Sequence, residues 1–214
     1  MGMERFGFIR AVIRIKQSVA VAQRKSWRDV KIVVCTIGHS TRSIEDFLAL
    51  LRREGIQALI DVRAFPLSRR HPHFNRDSLS ATLAANAMTY IHAPSLGGRR
   101  RPRANSHNTG WRNESFRAYA DHMSTSEFRE ALENVMSTAS RLTTTVMCAE
   151  ALPWRCHRWL ISDALVARGC EVRHVLDAST DAHTLTAFAV VANGEVTYPP
   201  PAVATPQTEL FGGG

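Results

Sequence analysis

Polar side chains that could do chemistry follow the apolar runs of this sequence, at the points where strands would end. His39 and Ser40 follow the first run, Asp61 and Arg63 the second, and Glu150 the fourth. Two carboxylates on separate strand ends suit a reaction in which one is the general acid or base and the other stabilises positive charge. Glu150 is favoured for such a catalytic role. Asp61 could equally pair with Arg63, and the sequence leaves both roles open.

Two histidines, His39 and His157, could hold or deliver a proton in the same reaction. His39 follows a glycine at a strand end, so it could supply a proton or only hydrogen-bond the neighbouring turn. Ser40 could contact a substrate or cap a helix. Structural alternatives therefore stay open at His39 and Ser40.

A cysteine cluster consists of Cys148, Cys156, His157 and Arg158. Its spacing matches no common structural zinc site, so no metal is predicted. A helix predicted to start near Cys156, together with the adjacent positive charge, would lower the pKa of its thiol and favour a nucleophile. The same helix terminus could bind an anion through Arg158 and backbone amides. We favour this anion cradle, with both cysteines lining it.

Arginines dominate the segment between residues 63 and 103, which has eight of them and a single acid, Asp77. The planar guanidinium binds phosphate or carboxylate through two hydrogen bonds, so the segment indicates anion recognition. A solvated basic surface is the alternative. Tyr119 could stack on a base or belong to the core. The predicted phosphate-binding residues of this segment are Arg63, Arg69, Arg70, Gly97, Gly98, Arg99 and Arg100.

Strand and helix patterns alternate along the middle of the chain. The predicted strands are 32–37, 58–62, 89–92, 143–147 and 171–175, and the predicted helices are 43–54, 77–86, 114–122, 126–139 and 156–168. Strands separated by helices predict an α/β fold, a doubly wound and mostly parallel sheet with helices on both faces. Residues 184–198 are expected to add a hairpin at one edge. Ligands bind such sheets at the carboxyl ends of the strands, where the polar groups described above gather.

Composition bounds the class of protein. The chain has 214 residues, 44% of them hydrophobic, and a formal charge of +8. We expect one domain over residues 31–198, a basic extension over 1–30 and a flexible proline-rich tail over 199–214. No run approaches the roughly 20 apolar residues of a membrane helix. Four scattered cysteines favour the reducing cytoplasm, and no cofactor is predicted.

Several of these motifs together resemble the bacterial family known as domain of unknown function 488. The similar segments are residues 36–40, 61–63 with Pro66, 96–99, 148–150 and 156–158, within a match over about residues 33–177. The resemblance implies a flavodoxin-like or Rossmann-like fold but no settled activity. It implies signature positions at His39, Asp61, Arg63, Gly97, Gly98, Glu150, Cys156, His157 and Arg158.

The C-terminal tail contains Gln207, Leu210 and Phe211, which are similar to the short peptide by which bacterial repair proteins dock on the sliding clamp. A flexible tether that ends in two apolar anchors suits such docking, although a featureless tail could match by chance. A clamp partner would make DNA the substrate.

These observations together predict a DNA-processing repair enzyme, with hydrolysis of the N-glycosidic bond of a modified base as the favoured reaction. A metal-dependent nuclease would use similar carboxylates. An enzyme on a small nucleotide or phosphate compound and a noncatalytic DNA-binding or clamp adaptor are the alternatives.

Overall fold

A computed structural model describes residues 31–200 of the chain. The predicted basic extension over 1–30 and the end of the tail, with the proposed clamp peptide at Gln207, Leu210 and Phe211, lie outside the described residues.

One mixed sheet forms the centre of the fold. Its strands are β1 (Val33–Gly38), β2 (Ala58–Asp61), β3 (Thr89–His92), β4 (Thr144–Cys148), β5 (Glu171–Val175) and β6 (Thr180–Ala182). Their order is β3-β2-β4-β1-β5-β6, and β1 to β5 run parallel while β6 pairs antiparallel with β5. Gly38 lies opposite Cys148, and Asp61 lies opposite Met147. This register brings the ends of β1, β2 and β4 side by side.

Five helices cover both faces of this sheet. They are α1 (Ile44–Arg53), α2 (Arg76–Ala85), α3 (Glu114–Met123), α4 (Ser126–Ala139) and α5 (Arg158–Ala167). Phe47 of α1 and Leu79 of α2 pack on one face, in a core that includes Leu59 of β2. Leu132 of α4 and Leu160 of α5 pack on the other. The predicted doubly wound α/β fold is therefore confirmed.

Local sequence signals account for the helix ends. The side chain of Ser43 accepts a hydrogen bond from the backbone N–H of Asp46 at 3.0 Å and so caps α1. The alternative that Ser40 is the helix cap is therefore wrong, and Ser40 instead adopts a left-handed conformation with a φ of 51°. Gly55, with a φ of 62°, follows α1 where a left-handed residue ends the helix.

The hairpin over 184–198 and the start of the last helix differ most from the prediction, and every other predicted end lies within one residue of the observed one. The hairpin of β7 (Val190–Ala192) and β8 (Glu195–Thr197) forms a separate small sheet, and β6 is the edge strand of the main sheet. Helix α5 begins at Arg158, later than predicted, because a short 3-10 helix precedes it and Cys156 has an extended backbone.

The described helices are all too short or too polar to cross a membrane.

Candidate functional site

Two adjoining cavities lie at the carboxyl edge of the sheet. The first, about 370 Å³ in volume, lies between the loops after β2, β3 and β4 and one side of α3. The second, about 460 Å³, lies between the loops after β1, β2 and β4. Both are lined by Arg63, Phe65, Ala149 and Glu150. The strand edge that the sequence predicts as the ligand site therefore contains open space.

Close backbone packing fixes the loop that carries Glu150. A Cβ atom on Gly38 would overlap the carbonyl of Glu150, so only glycine allows this loop to cross the end of β1. His39 N–H donates to the carbonyl of Cys148 at 3.0 Å, and Ser40 N–H donates to that of Ala149 at 2.9 Å. The carboxylate of Glu150 makes no hydrogen bond or ion pair with residues 31–200, and Glu150 is an exposed residue that lines both cavities.

Asp61 is wholly buried and holds Arg63. Arg63 Nε donates to Asp61 Oδ1 at 2.9 Å, and the backbone N–H of Arg63 donates to the same oxygen at 3.0 Å. Tyr90 donates its hydroxyl to Asp61 Oδ2 at 2.8 Å, and Arg63 Nη2 donates to the carbonyl of Phe74 at 2.8 Å. Asp61 lines neither cavity. Of the two roles that the sequence left open, the contacts favour the structural pair with Arg63.

His39 completes the support of Arg63. Its Nε2 lies 3.2 Å from Arg63 Nη1, which can only donate, so Nδ1 carries the proton and donates to the carbonyl of Ser40 at 2.9 Å. Burial, followed by the charge of Arg63, lowers the pKa of His39 to about 4. A neutral His39 at pH 7 positions Arg63 and carries no acidic proton for a substrate, whereas the sequence left proton transfer open. Arg63 keeps an N–H on Nη1 that these partners do not use.

The two cysteines of the cluster lie in contact beside the first cavity. Cys156 Sγ is 2.8 Å from Cys148 Sγ, well beyond the ~2.05 Å of a disulfide, and both cysteines are free. The backbone N–H of Arg158 is 3.5 Å from Cys156 Sγ, and His157 Nδ1 is 3.4 Å from it. Both sulfurs line the cavity although they are almost entirely buried. The N-terminus of α5 is therefore aimed at a sulfur atom.

The pKa values of the two thiols move in opposite directions. The hydrogen bond from Cys148, then that of His157 and the charges of His157 and Arg158, lower the pKa of Cys156 well below its usual value. Burial and the contact with Cys156 raise the pKa of Cys148. These shifts favour the thiolate form at Cys156, with Cys148 as the thiol that donates to it.

Arg158 does not bind a substrate phosphate in this arrangement. Its side chain is only 1% exposed and lines neither cavity. Its Nε donates to Cys148 Sγ at 3.0 Å, its Nη2 donates to the carbonyl of Glu150 at 2.6 Å, and its Nη1 donates to Thr36 at 3.3 Å. The prediction that Arg158 binds an anion at this helix terminus is therefore wrong. Arg158 instead holds the cysteine pair in place, and this contact favours the alternative in which Cys156 is a nucleophile.

A buried polar chain lies behind Arg158. Thr36 Oγ1 and His174 Nδ1 are 2.7 Å apart, His174 Nε2 and His183 Nδ1 are 2.9 Å apart, and His183 Nε2 is 2.9 Å from Asp163 Oδ1. Burial, followed by the neighbouring positive groups, lowers the pKa of His174 to about 3, so His174 is neutral. The chain fixes Thr36 and, through it, Arg158.

The loop after β3 packs on the cysteine pair. A Cβ on Gly98 would lie 2.5 Å from His157 Nδ1, so glycine is needed where the imidazole lies on the loop. Tyr119 faces the other side of that imidazole, with ring centroids 5.2 Å apart, and donates its hydroxyl to the carbonyl of Leu96 at 2.8 Å. His157 Nε2 has no hydrogen-bond partner among residues 31–200. This nitrogen is buried, although the His157 residue lines the cavity.

The predicted phosphate-binding arginines of the loops after β2 and β3 are either exposed at the cavities or folded back on their own loop. Arg99 lines the first cavity and is exposed, while Arg69 and Arg70 are exposed near the second without lining it. Arg100 folds back, with Nε 3.0 Å from the carbonyl of Gly97, and stabilises its own loop. Gly97 lines neither cavity, because its backbone packs against the loop after β2.

Three residues at the cavities escaped the sequence analysis. Arg155 is exposed and lines the first cavity. Phe65 and Leu67 are 70% and 77% exposed in the loop after β2 and line the cavities, and the guanidinium of Arg99 lies 5.8 Å from the Phe65 ring centroid. The sequence did contain a signal for the two apolar residues, because they lie among arginines and outside any predicted strand or helix.

Within residues 31–200, no three His, Cys, Asp or Glu side chains are grouped so that they could hold a metal ion.

Comparison with known proteins gives one match. The family model described as "Domain of unknown function DUF488" matches residues 43–165, which contain the ends of β2, β3 and β4 and most of α5. No curated protein and no solved structure matches the chain.

Proposed function

We propose that this chain, which belongs to the family of domain of unknown function DUF488, is a DNA-processing enzyme whose first cavity receives a nucleotide swung out of the duplex. The reaction that we propose is hydrolysis of the N-glycosidic bond of a modified base. The support comes from the mouth of the cavity and from the carboxylate inside it.

The observation that carries the proposal is the position of Phe65 and Leu67. Phe65 and Leu67 are the two most exposed large apolar side chains among residues 31–200, and strongly exposed apolar surface is typical of binding sites. Proteins that distort DNA insert such residues between base steps and unstack them. Phe65, which lines both cavities, and Leu67, which lines the second, could fill the gap that a displaced nucleotide leaves.

Arginines around this wedge supply the phosphate contacts. Arg69 and Arg70 follow the wedge in the same loop, and Arg99 lies over Phe65 from the loop after β3. Inside the cavity, Arg63 is held rigidly by Asp61 and His39, so little side-chain entropy is lost when its remaining N–H binds an anion.

Glu150 is the carboxylate that lines the cavity. An exposed carboxylate with no structural partner in the described chain is free to activate a water molecule or to stabilise an oxocarbenium-like sugar. Beside it, His157 lines the same cavity, and its Nε2, which is buried without a partner among residues 31–200, is the nitrogen that we propose for the contact with the departing base. Arg63 and Arg155 would hold the flanking phosphates.

Binding is tested with duplex DNA that contains the fluorescent base 2-aminopurine, whose emission rises when it leaves the stack. We expect wild-type protein to raise the emission and F65A/L67A to lose most of this rise. V190A/V191A is the matched control, because these valines are 49% and 42% exposed on the separate hairpin. Unchanged emission with wild-type protein, or equal emission from both double variants, refutes the wedge.

The reaction is tested by incubating the protein with DNA carrying a panel of modified bases and scoring abasic sites and strand breaks, with and without chelator. Abasic sites that persist with chelator and fall at least tenfold in E150Q support the glycosylase. Strand breaks that need metal indicate the nuclease instead. Neither product from any DNA refutes DNA processing by this cavity.

A small nucleotide or phosphate compound is the second candidate substrate. The cavity volume of about 370 Å³ and its three lining arginines, Arg63, Arg99 and Arg155, would also accommodate a mononucleotide. DNA affinity that falls steeply with salt, and whose salt dependence weakens in R69A/R70A, favours DNA. Binding of free nucleotide with no salt-sensitive DNA affinity favours the small substrate.

We also propose that Gln207, Leu210 and Phe211 dock the chain on a bacterial sliding clamp in the cytoplasm. The tail follows a basic domain, and two adjacent apolar side chains provide its anchors. L210A/F211A should abolish clamp binding in a pull-down while DNA binding by the domain is unchanged. Equal clamp binding by wild type and variant overturns this partner.

A further inference from the structure

We propose that Cys156 and Cys148 are a nucleophilic and a resolving thiol that reduce a disulfide or a peroxide in the first cavity and close to an internal disulfide. The sulfurs are 2.8 Å apart, and Arg158 binds the second of them. This inference is independent of the proposed action on DNA.

Cys156 is placed to attack. Its sulfur faces the cavity, the N-terminus of α5 directs the N–H of Arg158 at it, and His157 Nδ1 approaches from the side. The helix dipole and the adjacent charge favour a thiolate, which is the nucleophilic form of cysteine. The other charged residues that line this cavity are Arg63, Arg99, Arg155 and Glu150, of which only Glu150 is acidic.

Cys148 is placed to resolve the intermediate. It lies directly behind Cys156 at the end of β4, only 2% exposed, where a bulky disulfide cannot reach it before Cys156. Arg158 Nε donates to its sulfur at 3.0 Å. Once Cys156 has reacted and lost its negative charge, the guanidinium stabilises a thiolate on Cys148, which can then attack Cys156 Sγ.

The atoms and electrons balance for both oxidants. With a disulfide RSSR, Cys156 thiolate displaces RS⁻ and forms a mixed disulfide, and the Cys148 proton neutralises this leaving group. Cys148 thiolate then attacks Cys156 Sγ and expels a second RS⁻, which takes a proton from water. With a peroxide ROOH, the Cys156 thiolate attacks the terminal oxygen to give a sulfenic acid and expels RO⁻, which takes a proton from water. Cys148 Sγ then attacks Cys156 Sγ, and the Cys148 proton leaves with the hydroxyl of the sulfenic acid as water. In both cases the oxidant gains two electrons and the thiols lose two.

The experiment uses the reduced full-length chain with hydroxyethyl disulfide in one arm and hydrogen peroxide in the other. We expect a loss of two thiols per chain, and peptide mapping should find Cys148 joined to Cys156. Cys35 and Cys170 are internal controls, because burial raises the pKa of each to about 11 and leaves roughly 10⁻⁴ of each as thiolate at pH 7. Cys156 should react at least a hundredfold faster than either.

Variants separate the two roles. C148S should accumulate a mixed disulfide on Cys156, whereas C156S should lose the fast reaction in both arms. C35S/C170S should react like the wild type and is the matched control. Circular dichroism verifies that each variant is folded, and the wild-type peptide map gives a result even if C156S is not.

Three results overturn the proposal: no internal disulfide in either arm, comparable rates at all four cysteines, or, where the disulfide arm reacts with the wild type, no mixed disulfide in C148S. A fast reaction in only one arm still supports the pair and identifies its oxidant. If the disulfide forms but the protein neither unstacks nor processes DNA, the proposed DNA function fails alone.

Discussion

Replacing Asp61 by asparagine tests whether the strand-end carboxylate is an anchor or a catalyst. Asp61 is fully buried, and it accepts from the Arg63 guanidinium, the Arg63 backbone N–H and the Tyr90 hydroxyl. Asparagine has nearly the same shape but no charge. In D61N the guanidinium of Arg63, only 8% exposed, is therefore left in the interior without its counter-charge.

The expected loss of stability in D61N follows from that uncompensated charge. Removing one partner of a buried ion pair costs about 3–5 kcal/mol. With a urea dependence of ~2–3 kcal/mol per M for a domain of this size, the urea midpoint of D61N should fall by roughly 1–2 M. The slope of the free energy of unfolding against urea concentration should not change, because the same surface is exposed on unfolding.

Urea unfolding followed by circular dichroism measures this change, with E150Q as the matched control. Glu150 is exposed and unpaired in the described chain, so E150Q should keep its free energy of unfolding within ~0.5 kcal/mol. A D61N midpoint indistinguishable from that of wild type would refute the anchoring role. Normal stability combined with lost activity would return Asp61 to the catalytic role.

Three further predictions concern stability elsewhere. G38A should cost more than about 3 kcal/mol in urea unfolding, because its Cβ would overlap a backbone carbonyl that cannot move freely, whereas G55A, with nothing within 4 Å, should cost only about 1 kcal/mol. His39 should make the fold lose up to about 3 kcal/mol as pH falls from 6.5 to 4, because the unfolded imidazole binds a proton over this range and the folded one, with its pKa lowered to about 4, does not. Thermal melts across this range should show a smaller loss in H39Q, and equal slopes would contradict the assignment. Y198F should cost about 1–3 kcal/mol because Asp163 loses a donor at 2.7 Å, and an unchanged melting temperature would refute this.

Much of the architecture could be predicted, because the periodicity of apolar residues and the residues that cap helices are local properties of the sequence. The strand Thr89–His92 and the helix Ser126–Ala139 have the predicted bounds. The edge strand β6 could not be predicted, since it has three residues and an unburied pattern, and is held by pairing with β5.

The site was predictable at the level of the strand edge but not of individual contacts. Asp61 and Arg63 are two residues apart at a strand end, so their side chains point the same way and pairing was foreseeable. The contact between Cys148 and Cys156 was not, because it depends on the turn between them. The exposure of Phe65 could not be predicted either, since a loop sequence does not show which of its apolar residues remain in contact with water.

The two buried arginines of the site differ in their counter-charge, and this difference argues for the thiolate. Arg63 has Asp61, whereas Arg158, at 1% exposure, forms no ion pair with a carboxylate among residues 31–200. A buried cation without an anion costs several kcal/mol, so the negative charge that the two adjacent sulfurs share is the compensating one.

Removing that charge should therefore destabilise the protein through Arg158. C156S, whose hydroxyl stays neutral, should lower the free energy of unfolding by about 3–5 kcal/mol. Adding R158M should restore much of the loss, because the uncompensated charge is then gone as well. Urea unfolding of both single variants and the double variant measures the coupling. If the two losses simply add, Arg158 does not depend on the thiolate, and Cys156 is a neutral thiol in the folded protein.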